Sequence, residues 1–172
     1  MKEVHTLYKL IVLYLLNRIM FSLNNGQLCA FMAEEQYTDY FTLQETLVDM
    51  VDSGLLVTDI IRNNTYYSLT ESGKSTLEFF EQDIPTAIRR DIEVYVKKNR
   101  FQLREENAVI ADYSRQPGEK EFTVSLQVKE KEDVLISLKL PVPEEQQAIR
   151  MCDNWQKKSS EIYQYLMQEL LG

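Results

Sequence analysis

Residues 42–73 read TLQETLVDMVDSGLLVTDIIRNNTYYSLTESG. Thr42 and Glu45 have the spacing of a capping box, in which each side chain satisfies an orphan amide at a helix start. Leu43, Leu47, Met50 and Val51 recur at helical spacing and define one apolar face. Ser53-Gly54 ends that helix, because glycine accepts the left-handed backbone of a C-terminal cap. Leu55, Leu56 and Val57 begin an extended run, and Arg62-Asn63-Asn64-Thr65 turns it back, since asparagine tolerates positive φ. Tyr66 to Leu69 is the return strand, and Thr70 caps the next helix.

Upstream, residues 3–23 read as a first helix carrying Leu7, Leu10, Ile11, Tyr14, Leu15 and Ile19. It is apolar on more than one face, which calls for two contacts. Asn24-Asn25-Gly26 is a turn, with a strand or a helix start at Gln27-Leu28. Leu28, Phe31 and Met32 mark a short helix, and residues 36–41 connect it to the helix of the opening stretch.

Downstream, the helix opened by Thr70 runs to Asp83, and Pro85 starts another that reaches about Lys98. From about Phe101 the apolar period changes from helical to alternating. Strands are predicted over 107–113, from Phe122 to Val128 and from Val134 to Leu140, separated by a turn at Gln116-Pro117-Gly118 and a charged turn at Lys129 to Asp133. They form a three-stranded antiparallel meander with one wet face. Pro141 and Pro143 stop the last strand. A long helix from about Glu144 to Leu171 follows, with Ala148, Cys152, Trp155, Ile162, Leu166 and Leu170 on one stripe and Ser159 in its middle. That stripe covers the strands, the same helix of a second copy, or both. The expected domains are residues 1–83 and 84–172.

The chain has 172 residues and a net charge of -8, which disfavours broad contact with phosphate backbones. Cys29 and Cys152 sit in apolar helical patterns and read as buried thiols of a reducing compartment. The apolar run Leu10 to Leu16 is too short to span a bilayer and lacks a cleavage site, so a cytoplasmic protein is expected. His5 is the only histidine, and no phosphate loop, nucleophile elbow or metal-spaced cluster appears. No enzyme activity and no cofactor are expected.

Leu47-x-x-Met50-x-x-x-Gly54-Leu55-Leu56, followed by a hairpin and Leu69-Thr70-Glu71-Ser72-Gly73-Lys74, resembles the core of winged helix-turn-helix transcriptional regulators. The resemblance covers about residues 3–83. The whole chain is similar to a bacterial family of winged-helix proteins of unknown function. The implied fold is α+β: an N-terminal winged helix-turn-helix, then a helix, the three-stranded meander and the long C-terminal helix. The implied function is DNA binding as a homodimer; separately, the apolar faces of the first and last helices predict that these two make the subunit contact. Carried onto this sequence, the base-facing positions are Thr38, Tyr40, Thr42, Gln44, Glu45 and Thr46. The wing contributes Arg62, Asn63 and Asn64.

The charges depart from that pattern. Residues 1–83 hold five basic side chains against twelve acidic ones, and none between Thr42 and Ser53 is basic. The basic cluster Arg89, Arg90, Lys97, Lys98, Arg100 and Arg104 lies in the other half, interleaved with Asp91, Glu93, Glu105 and Glu106. A DNA-binding half is normally the basic one. A second reading therefore stands beside the first: a winged-helix module that binds a basic protein through its acidic helix and a surface containing Tyr37, Tyr40, Tyr66 and Tyr67.

Overall fold

The computed structural model describes residues 2–131 and 133–172. It is an α+β protein with two small antiparallel sheets. The chain divides into two compact units, Met1–Gln102 and Leu103–Gly172. Sequence places the break at residue 83, whereas the contacts divide the chain inside its fifth helix.

The first unit begins with α1 (Lys2–Ile19), which ends where Met20 adopts φ 69°. β1 (Leu23–Asn24) leads directly into α2 (Asn25–Glu34). The expected turn at Asn24-Asn25-Gly26 is instead the start of this helix. Asn24 accepts from the Gln27 amide at 2.8 Å, and Gln27 Oε1 accepts from the Asn24 amide at 3.0 Å. This pair is a capping box. α3 (Tyr40–Asp52) is capped by Asp39, whose carboxylate accepts from the Thr42 amide at 2.8 Å. The Thr42–Glu45 box is therefore corrected: the helix starts one turn earlier.

At the far end of α3, the Leu55 amide donates to the Met50 carbonyl (2.9 Å) and the Gly54 amide to that of Val51 (3.0 Å). With Gly54 at φ 76°, this is a Schellman stop. β2 (Leu56–Ile61) and β3 (Asn64–Leu69) form the hairpin. Arg62 (φ 48°) and Asn63 (φ 64°) make its two-residue tip, the type I′ geometry that matches strand twist. β3 is central, with β1 and β2 antiparallel on either side. α4 (Glu71–Phe80) follows and tightens into a 3₁₀ turn over Glu81–Asp83.

α1 is the centre of this unit. Every residue from Leu10 to Leu16 is buried, and the helix packs against α3, α4 and β3. Its all-round apolarity, read from sequence as a subunit contact, is thus satisfied by its own chain. Each such fully buried aliphatic side chain contributes about 1.5–3 kcal/mol.

α5 (Thr86–Ala108) continues well past Lys98, because Asn99 to Ala108 contains no glycine or proline and Leu103 is buried. Its first turns belong to the first unit. Glu93 Oε1 accepts from the Tyr14 hydroxyl (2.8 Å) and from Arg18 Nε (2.7 Å). Tyr37 donates to Asp91 (2.8 Å), and the Tyr95 ring meets Phe31 edge to face at 4.8 Å.

The second unit holds the end of α5, then β4 (Val109–Ser114), β5 (Phe122–Glu130), β6 (Asp133–Val142) and α6 (Glu145–Leu171). The strands form the expected antiparallel meander in the order β4-β5-β6. The expected charged turn at Lys129 to Asp133 is narrower: Lys129 and Glu130 lie in β5, Asp133 lies in β6 and Lys131 has φ 57°, while Glu132 lies outside the described residues. Ala111, Val124 and Leu126 pack against Ala148, Cys152 and Trp155 of α6. β6 is an edge strand. A register shift beside Val128, Lys139 and Pro141 make it a poor template for another strand.

Candidate interaction surface on the third helix

α3 has two faces that its sequence separates cleanly. Leu43, Leu47 and Met50 point into the first unit with Thr46. The outward row at steps of four, three and four is Phe41, Glu45, Val48 and Asp52, flanked by Tyr40 and Asp49. Phe41 is 78% exposed, Val48 60% and Tyr40 56%. The Tyr40 and Phe41 rings meet edge to face, 5.5 Å apart. Lys9 of α1 pairs with Asp49 at the border of this face. The surface is thus three large apolar side chains among three carboxylates.

The residues expected to face bases fall into three groups. Tyr40 and Glu45 are exposed, Glu45 on the outward row and Tyr40 beside it. Thr38 and Thr42 are half-buried at the helix entrance, where the Thr42 amide is held by Asp39. That bond keeps the Asp39 carboxyl below its ordinary range. Gln44 and Thr46 are turned to internal work. Gln44 Nε2 donates to Asn25 Oδ1 at 2.7 Å and lies 3.7 Å from Cys29 Sγ. Thr46 is 2% exposed, and its hydroxyl donates to the Thr42 carbonyl at 2.8 Å. Neither side chain presents a base-reading group from the outward face.

At the hairpin tip Arg62 is half-buried and Asn63 exposed; Asn64 is exposed but belongs to β3, opposite Ile61. Of the four tyrosines expected on this surface, only Tyr40 is exposed. Tyr67 is buried in the sheet, Tyr66 is half-buried, and Tyr37 is half-buried with its hydroxyl on Asp91. Burial and that carboxylate push the Tyr37 phenol well above its ordinary value. Arg90, Lys97, Lys98 and Arg100 of α5 are exposed.

Phe41 and Val48 are surface residues absent from the expectations drawn from sequence, whereas Asp49 and Asp52 belong to the acidic helix expected there. The signal was present: once Leu43, Leu47 and Met50 are inward, the helical period sends 41, 45, 48 and 52 outward.

A family model described as Domain of unknown function (DUF4364) matches residues 8–170, and the chain belongs to that family. The match runs through both compact units. No curated protein and no solved structure matches the chain. Among the described residues, no helix is long and apolar enough to cross a membrane.

Proposed function

We propose that the first unit is a winged helix-turn-helix, with α2 and α3 as the helix pair and β2–β3 as the wing, and that α3 docks a protein with a basic, partly apolar surface. The order of elements from α1 to α4 and the two-residue hairpin tip support the fold. The observation that carries the function is the outward face of α3: Tyr40, Phe41 and Val48 among Glu45, Asp49 and Asp52. Burying an exposed apolar side chain of this size at an interface contributes about 1.5–3 kcal/mol. Aromatic anchors ringed by polar groups are the usual composition of a binding hot spot. Glu45 and Asp52 also oppose DNA, whereas the charge of Asp49 is offset by Lys9. A carboxylate about 4 Å from a phosphate is repelled by roughly 1–4 kcal/mol between bulk-water and surface dielectrics.

The competing reading is a homodimeric DNA-binding transcriptional regulator, and its support is Asn63 and Asn64 exposed beside Arg62 at the wing tip. One experiment separates the two. The full chain is offered a displayed library of basic amphipathic peptides and a randomised duplex pool, both at low salt. Enrichment of peptides with apolar anchors between lysines or arginines, lost in Phe41→Ala/Val48→Ala, is the expected result. Salt-sensitive retention of duplex, lost in Arg62→Ala, would overturn it in favour of DNA.

A further inference from the structure

The geometry points to a second copy of this chain as the partner of the last twelve residues of α6, Ser160 to Leu171, packed antiparallel about a two-fold axis. This holds whatever α3 binds. The stripe Ala148, Cys152, Trp155, Ser159, Ile162, Leu166 and Leu170 runs along one side of α6 at alternating steps of four and three, with a final four. Its first four members are buried, and the first three of them lie in the core shared with the sheet. Two side-chain bonds mark how far that cover extends: Trp155 Nε1 donates to the Gln127 carbonyl (3.1 Å) and Gln156 Nε2 to that of Val109 (3.2 Å). Both acceptors lie at the same end of the sheet, where Val109 pairs with Val128 and Ile110 with Gln127.

From Ser160 onward no residue of α6 is fully buried, although the apolar pattern continues: Tyr163 and Leu166 are half-buried and Ile162 and Leu170 exposed. Leu170 is 79% exposed, and Tyr165 and Met167 are exposed as well. An amphipathic stripe that continues past the sheet calls for a covering surface.

The charges choose the occupant and its direction. Lys157 and Lys158 precede this segment, and Glu161 and Glu169 lie within it. In an antiparallel pair that sets Ile162 against Leu166 of the second copy, Lys158 falls beside Glu169 of that copy. The symmetry makes each contact twice, as an isologous interface requires. A parallel pair in register would leave Lys158 eleven residues along the axis from Glu169 of the second copy, about 16 Å at 1.5 Å per residue, and that pairing would be lost.

The test is the mass of the full chain by sedimentation or light scattering across micromolar concentrations. The wild type is expected at twice the chain mass. Leu166→Glu is expected at the monomer mass with unchanged Trp155 emission, and Ile162→Ser serves as the second variant should Leu166→Glu disturb the helix. Lys158→Glu is expected to weaken the dimer several-fold, and Lys158→Glu/Glu169→Lys to restore it. A wild-type monomer, or a dimer that survives both apolar variants, would overturn the proposal. Failure of the charge exchange to restore the dimer would overturn the antiparallel register.

Discussion

A methyl group placed on Gly73 would sit 2.2 Å from the carbonyl oxygen of Leu55. The first turn of α4 lies directly on the corner where α3 ends and β2 begins. Thr70 fastens the same corner. Its amide donates to the Leu55 carbonyl (3.2 Å), and its hydroxyl lies 2.6 Å from the Gly54 oxygen and accepts from the Gly73 amide (2.9 Å). The Leu-Thr-x-x-Gly run is therefore a clamp between two helices and a hairpin. Gly73→Ala must move backbone, because the obstructing atom is a carbonyl. The expected cost is about 2–4 kcal/mol, read as a lower urea midpoint. Gly26→Ala is the control. Its Cβ would meet only Asn24 Oδ1 at 3.4 Å, within a helix, and an alanine there is expected to stabilise by about 0.5–1 kcal/mol.

The start of α3 gives a second test. Asp39 accepts from the Thr42 amide, so Asp39→Ala is expected to lower the thermal midpoint. Glu45→Ala, which would break the box expected from sequence, is expected to change stability by less than about 0.5 kcal/mol, since Glu45 is an exposed residue away from the cap. Thermal midpoints of the two variants decide which residue caps. Equal losses would return the cap to Thr42 and Glu45.

These two sites show what was legible and why. The corner at Gly54 and the hairpin tip were readable because each needs a backbone state that few residues accept, and the Thr70 cap because few side chains carry the oxygen that a cap needs. The start of α3 was ambiguous, since Asp39–Thr42 and Thr42–Glu45 both offer a polar cap at a permissible spacing. α5 was cut short because leucine, arginine and glutamate after Phe101 suit a helix as well as a strand end. Base-facing residues were selected by polarity near the helix start. Polarity does not say whether a hydroxyl points at solvent or, like Thr46, at the carbonyl one turn back.

α1 separates internal packing from assembly. Leu13 is buried within the first unit, so Leu13→Ala is expected to cost about 2–5 kcal/mol. The loss should be independent of protein concentration, because no second copy is needed to cover this helix. Urea midpoints at two widely spaced concentrations measure it. A loss confined to low concentration would put α1 back at a subunit contact.

Glu93 links stability to pH. Burial raises its pKa, but hydrogen bonds from Arg18 and Tyr14 and the Arg18 charge outweigh that, and the carboxyl ends below its ordinary value of 4.5. A depressed folded pKa means that the stabilisation is complete above that ordinary value. It is lost as pH falls below it, through the folded pKa. Tyr14 runs the other way. Burial first, then Glu93, raises its phenol, so its contribution is complete below 10.0 and lost as pH rises through the raised value. Arg18 and Glu93 are about half exposed, so the pair contributes at most about 1 kcal/mol. Glu93→Gln is expected to flatten the acid limb of the stability profile below pH 4.5, measured by urea midpoints against pH. An unchanged acid limb would remove Glu93 as its source.

Trp155 reports on the second unit. It is the only tryptophan in the chain, and it is 1% exposed between α6 and the sheet. Its indole N–H donates to the Gln127 carbonyl at 3.1 Å, which also sets how far along the strands α6 lies. Trp155→Ala removes the largest side chain of this core and is expected to cost about 3–5 kcal/mol. Trp155→Phe keeps an aromatic ring and loses the hydrogen bond. The Gln127 carbonyl then lacks that donor, and a cost of about 1–3 kcal/mol is expected. Urea unfolding followed by far-ultraviolet circular dichroism measures both, since the fluorophore is gone in each variant. Equal losses would mean that the hydrogen bond, not the volume of the ring, holds α6 on its sheet.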